Sequence, residues 1–206
     1  MRHYEVERKE DARRRVWAAR AAKLASFIVL LPLVSCSGAP PATYDLGAVP
    51  HEPAARRVGR GQLAVYEPTA SLPADSQRIV IRTGPDAVAY LSGAQWADKL
   101  TRLVQSRLIE SFENAHLLRS VGRPGLVADR NLQTDIRRFE ADVSHHQAVV
   151  EISARLVGPT GKIVAGKIFS ATAPLPNDAP ISVTGSLDQA LSKVMRDLVF
   201  WAAPQV

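Results

Sequence analysis

Between residues 62 and 201, apolar positions recur at two periods, about 2 in some stretches and about 3.6 in others, and the alternation of the two predicts the elements. Gln62–Tyr66 sets Leu63 and Val65 on one side of an extended segment that stops at Glu67-Pro68, a first strand. Ile79–Thr83 and Ala87–Leu91 flank Gly84-Pro85-Asp86, where proline presets φ and glycine tolerates positive φ, so the two runs read as a hairpin. The period then changes. Trp96, Leu100, Leu103, Val104, Leu108 and Phe112 fall at helical spacing behind Ser92 and Gln95, which fit a capping box; Lys99, Arg102, Arg107 and Glu110 lie mainly off that stripe.

Leu117–Val121 leads into a loop holding Gly122, Pro124 and Gly125. Strand alternation returns at Leu132, Thr134 and Ile136, then resumes one residue out of phase at Phe139, Ala141 and Val143, a slip that predicts a β-bulge near Arg137-Arg138. Ala148–Val157 alternates cleanly, and Gly158-Pro159-Thr160-Gly161 turns the chain into Lys162–Ala173, a second hairpin. Pro174–Pro180 reads as a loop. Ser186 with Gln189 offers another capping box, and Leu187, Ala190, Leu191, Val194, Leu198 and Trp201 form a second helical stripe ending before Pro204. The order β-β-β-α-β-β-β-β-α predicts an α+β fold, a mixed, largely antiparallel sheet with two amphipathic helices packed on it.

The first part of the chain obeys neither rule. Leu24–Val34, LASFIVLLPLV, is an apolar run behind Arg20 and Lys23. A spanning helix needs about 20 apolar residues, whereas the core of a secretion signal takes roughly 7–15, so this run fits a signal. Leu33-Val34-Ser35-Cys36 follows at once and resembles the bacterial lipobox: Leu, a tolerant position, a small residue, then Cys. That resemblance implies cleavage between Ser35 and Cys36 and acylation of Cys36, and two acyl chains are enough for stable membrane anchoring. The chain thus divides into a signal peptide at 1–35, a lipidated cysteine with a proline-rich tether at 36–57, and a domain at 58–203. Ser37 stands where an Asp would be the usual inner-membrane retention signal, so the expected address is the periplasmic face of the outer membrane. Val16 is an alternative start that leaves a compact basic segment, VWAARAAK, ahead of the apolar run.

Charge changes the picture once the signal is set aside. The whole chain carries 26 basic and 20 acidic residues, +6. Residues 1–35 hold eight of the basic and four of the acidic ones, which leaves 18 against 16, or +2, for the remainder. Scattered among acids, those lysines and arginines make no nucleic-acid stripe. Cys36 is the sole cysteine, so no disulfide can form within the chain.

Candidate chemistry is sparse. Gly158-Pro159-Thr160-Gly161-Lys162 is not a phosphate loop, because Leu156 replaces the first glycine and Ile163 the Ser or Thr that would hold Mg²⁺. His145-His146 would point to opposite faces of a strand and read as solvated turn residues, not a metal chelate. No serine sits in a G-x-S-x-G elbow, no cysteine has a partner base, and Asp135 and Glu140 pair with nothing in sequence. The expectation is a protein that is not an enzyme, with no cofactor and no metal site. Arg137-Arg138-Phe139-Glu140 is the most conspicuous polar stretch. It reads first as a solvated strand face with cross-strand ion pairs and second as a partner-docking patch built on Arg137, Arg138 and Glu140.

Tyr44-Asp45-Leu46 soon after the lipobox, Arg78-Ile79-Val80-Ile81-Arg82, Trp96-Ala97-Asp98-Lys99-Leu100 and Asp135–Asp142 together resemble the ABC-type transport auxiliary lipoproteins, the family of PqiC and YmbA. The resemblance runs from Tyr44 to about Trp201. It implies a periplasmic lipoprotein working with an MCE-domain protein, an ABC permease and its ATPase in moving lipids between inner and outer membranes. Phospholipid and a second copy of the chain are further candidate partners. It brings no catalytic residues. A lipid-binding shuttle or chaperone and a structural envelope lipoprotein without a transport role are the alternative readings.

Overall fold

The computed structural model describes residues 39–50, 61–125 and 127–206. The predicted signal peptide, Ser35, Cys36 and the expected domain start near Val58 lie outside the described residues. The strands are β1 (Ala42–Tyr44), β2 (Gln62–Val65), β3 (Thr69–Ala70), β4 (Arg78–Arg82), β5 (Val88–Trp96), β6 (Ser120–Gly122), β7 (Arg130–Asp142), β8 (Gln147–Val157) and β9 (Ile163–Pro174). Helix α1 (Leu100–Ala115) follows β5, and α2 (Pro180–Ala202) follows β9 and runs into a 3₁₀ turn at Ala203–Gln205.

β7 organises the sheet. Along one edge 11 of its 13 residues pair antiparallel with β8, and β8 pairs antiparallel with β9. At about 3.3 Å per residue, β7 is long enough for three short strands to share its other edge in tandem. β2 pairs at Arg130–Leu132, β3 at Asp135-Ile136 and β4 at Ala141-Asp142, all parallel. β5 returns antiparallel on β4, β1 lies parallel on β5, and β6 parallel on β2. The long pairings are therefore antiparallel and the short ones parallel, which is the mixed, largely antiparallel α+β architecture expected.

Alternation decides which side chains meet the helices. Leu132, Ile136, Phe139 and Ala141 of β7 and Ala148, Val150, Ile152, Ala154 and Leu156 of β8 all enter one buried cluster. That cluster also takes the α1 stripe Leu100, Leu103, Val104, Leu108 and Phe112 and the α2 stripe Val183, Leu187, Leu191, Val194, Met195 and Leu198. Inward pointing at both Ile136 and Phe139 requires one surplus residue, and the register does shift between Ile136 and Arg138, where the bulge was expected.

The structure differs from the sequence expectation at both helix starts. Ser92 and Gln95 lie in β5, and α1 begins at Leu100. Trp96 ends the strand: its N–H donates to the Gln77 carbonyl at 2.8 Å, and its ring meets Phe139 edge-on with centroids 5.9 Å apart. Its spacing to Leu100 is that of a helix turn, which is why strand end and helix stripe merge in sequence. Likewise α2 begins at Pro180, whose fixed φ suits a first helical position. Ser186 is inside the helix and donates instead to the Pro174 carbonyl at 2.7 Å.

Part of the stretch expected as tether, within residues 36–57, belongs to the fold. β1 pairs Ala42, Thr43 and Tyr44 with Ala94, Gln95 and Trp96, and Leu46 and Val49 are buried in the core. Three residues among prolines carry no legible period, so this strand exists through its partner β5 and not through its own pattern.

Candidate functional site

Opposite the helices, the sheet presents Arg78, Val80 and Arg82 of β4, Val88 and Tyr90 of β5, Arg138, Glu140 and Asp142 of β7, and Val149 and Glu151 of β8. The register pairs Val80 with Tyr90, Arg138 with Glu151 and Glu140 with Val149. The bulge re-aims a side chain here: Arg137 is the surplus residue, and its Nε lies 3.2 Å from Glu151 Oε1, on the same face as Arg138.

Glu140 is the centre of this face and is only 5% exposed. Arg82 grips it with two parallel bonds, Nε to Oε1 at 2.9 Å and Nη2 to Oε2 at 3.0 Å. Arg138 adds Nε and Nη2 to the same Oε1 at 2.9 and 2.6 Å. Burial alone would push the Glu140 carboxyl up, but the hydrogen bonds from Arg82 and Arg138 outweigh it and hold the group below its ordinary value. Arg82 is further fixed by donating Nη1 to the Pro85 carbonyl at 2.7 Å, so the Gly84-Pro85 turn orients it. Together these residues border an open cleft of about 170 Å³ whose other wall is Ser71, Pro73 and Ala74.

The site residues read from sequence thus come together, and the ion pairs of the first reading are present. Arg82 was the residue missed. Its alternation in β4 puts it on the outer face, yet its pairing with Glu140, 58 positions away, follows from the parallel β4–β7 contact. Such long-range pairing leaves no local trace in a sequence.

At the β7–β8 turn, Asp142 accepts the Ser144 hydroxyl at 2.7 Å, the His145 amide at 3.2 Å and a contact from His145 Nδ1 at 2.8 Å. The Ser144 bond foremost, and those of His145, hold the Asp142 carboxyl down to about 2 against its burial. His146 has φ of +49° in this turn. Among the described residues, no group of three or more His, Cys, Asp or Glu could hold a metal ion, and no helix is long and apolar enough to cross a membrane.

The segment after β1 is stitched to both helices. Asp45 pairs with Arg107 at 2.8 Å, Gly47 N–H donates to Asp188 Oδ1 at 2.6 Å, and Val49 N–H donates to Ser111 Oγ at 3.0 Å. Beside it, Val49, Pro50, Ala115, Val199 and Phe200, with Ser111 and Arg196, line a small, mostly apolar cavity of about 20 Å³, room for little more than a water molecule.

The sequence model of the "ABC-type transport auxiliary lipoprotein component" matches residues 44–199. An uncharacterized protein of Bradyrhizobium diazoefficiens is 31% identical over 189 residues. The alignment takes in 89% of this chain but 51% of that protein, so the chain spans about half the length of the curated relative it matches. Among solved structures, protein XCC0632 from Xanthomonas campestris superposes with a TM-score of 0.72 at 29% identity, over 79% of this chain and 95% of that one. A second crystal structure shares the fold at a TM-score of 0.65 and 13% identity, over 79% of this chain and 98% of that one.

Proposed function

The chain belongs to the ABC-type transport auxiliary lipoproteins, and from that premise we propose that it is the non-enzymatic, lipid-anchored subunit of an MCE-type ABC system that moves lipids between the two membranes. Acylated Cys36 holds it at the periplasmic face of the outer membrane, and its domain docks the MCE-domain protein while the ATPase and permease do the work of transport. The observation that carries this reading is the order of elements along one chain: an apolar run, a lipobox ending in the sole cysteine, and a domain of the auxiliary family beginning at residue 44.

The short lead into β1 sharpens it. Only residues 37–41 separate Cys36 from Ala42, and the six steps between those two residues reach at most about 22 Å fully extended. An acylated Cys36 therefore keeps the start of β1 near the bilayer surface, so the partner comes to the membrane and the domain is not cast far into the periplasm. The lipid-shuttle alternative gains no support from the small apolar cavity beside the helices, since an acyl chain needs many times its volume.

The test is Cys36→Ser in cells, with fractionation and a lipid-transport phenotype as readouts. The reading expects a folded domain, lost from the outer membrane, and failure of transport. A soluble, unacylated variant that restores transport fully refutes it.

A further inference from the structure

We propose that the cleft bordered by Arg82, Arg137 and Arg138 is a binding site for a phosphate-type oxyanion, either a phosphate ester headgroup or free phosphate. This goes beyond the role of transport subunit and does not depend on which partner that subunit meets.

Three features carry it. First, the bulge brings two consecutive arginines to one face, where regular alternation would send Arg137 and Arg138 to opposite sides. Second, the arginines are held in place from behind: buried Glu140 takes both Arg82 and Arg138, so their guanidinium planes are set before any ligand arrives. Preorganised forks of this kind match the oxygens of phosphate. Third, donors are left over. Arg138 spends Nε and Nη2 on Glu140, and Arg137 spends Nε on Glu151, while their side chains remain 40% and 47% exposed.

The formal charges around the cleft balance. Three guanidinium groups face Glu140 and Glu151 in the cleft, which leaves one positive charge in excess. Arg78 adds another at the rim, stacked 4.7 Å above the Tyr90 ring. Asp86 and Asp142 act on Arg82 from the hairpin turn and the end of β7 and offset these two, so four arginines stand against four carboxylates and recognition rests on the geometry of the arginine forks. A cleft of about 170 Å³ accommodates a phosphate group, and the exposed Leu72, Val88 and Tyr90 beside it supply apolar contact for the rest of an ester.

The experiment titrates the full chain, in uncharged maltoside micelles, with inorganic phosphate, with short-chain phosphatidylglycerol and with an oligoglutamate peptide, followed by calorimetry and phosphorus NMR. Saturable binding of either phosphate compound is expected, weakened at least about tenfold in Arg137→Ala/Arg138→Ala, the scale of losing one charged hydrogen bond. The charge-matched control Arg155→Ala/Lys162→Ala, exposed residues outside the cleft, retains wild-type affinity. Response to the lipid alone assigns the site to a headgroup, and equal response to inorganic phosphate assigns it to the free anion. Three results overturn the site: no binding of either phosphate compound, equal weakening in both double variants, or binding of the acidic peptide alone, which would make this a protein contact.

Discussion

Arg82 and Glu140 face each other across the parallel contact between β4 and β7 and close two hydrogen bonds of 2.9 and 3.0 Å. This pair ties the N-terminal hairpin to the central strand. Arg82→Ala leaves Glu140 buried with Arg138 as its remaining partner and costs about 2 kcal/mol of stability in urea unfolding at neutral pH. The sign of the pH dependence follows from the lowered Glu140 value: the stabilisation is present above the ordinary glutamate pKa and fades as pH falls below it. The gap between wild type and Arg82→Ala is therefore wide at pH 7 and narrows on acidification below roughly pH 4.

Asp142 is held down in the same way, by the Ser144 bond foremost. With its folded value near 2 and an unfolded value of about 3.9, its contribution is complete above roughly pH 4 and is lost as pH drops toward 2. Asp142→Asn lowers the melting temperature at neutral pH, and its melting curve converges on wild type in the acid limb. A constant difference down to pH 2 would show that the carboxylate charge is not what matters at this turn.

Residues 42–49 belong to the domain and not to a leash. Leu46 is 3% exposed within the core. Leu46→Ala should cost about 2 kcal/mol or more, the range for emptying a buried leucine site, while a leash residue would change nothing. Denaturant unfolding of the two proteins decides it.

Gly161 closes the β8–β9 hairpin with φ of +81°, and its amide donates to the Gly158 carbonyl at 3.0 Å. Gly161→Ala forces a side chain into left-handed backbone and destabilises by about 1 kcal/mol. Gly158 has only ordinary contacts awaiting a Cβ, 3.6 Å to the Lys162 carbonyl, so Gly158→Ala is the milder change in the same melting assay.

What the sequence revealed follows from how local each signal is. Both hairpins and the bulge at Arg137 were legible because turn chemistry and a period-2 slip are written in neighbouring residues. The helix stripes were legible, but their starts were not: Trp96 continues the spacing of α1 while ending β5, and Ser186 imitates a cap inside a helix that Pro180 had already begun. β1 and β3, three and two residues long, are held by β5 and β7 and have no pattern of their own. The candidate site divided the same way. Arg137, Arg138 and Glu140 stood together in sequence, whereas Arg82 reaches them through a pairing that no window of residues contains.

The role proposed for this lipoprotein is direct docking to the MCE-domain protein of an ABC system. Its most direct measurement is crosslinking in intact cells, capture of the full lipidated chain, and mass spectrometry that maps crosslinked residues. Crosslinks from the domain to the MCE-domain protein are expected, with permease and ATPase recovered through it. Recovery of the chain without any of these components, under crosslinking that captures a known envelope complex in the same cells, contradicts it.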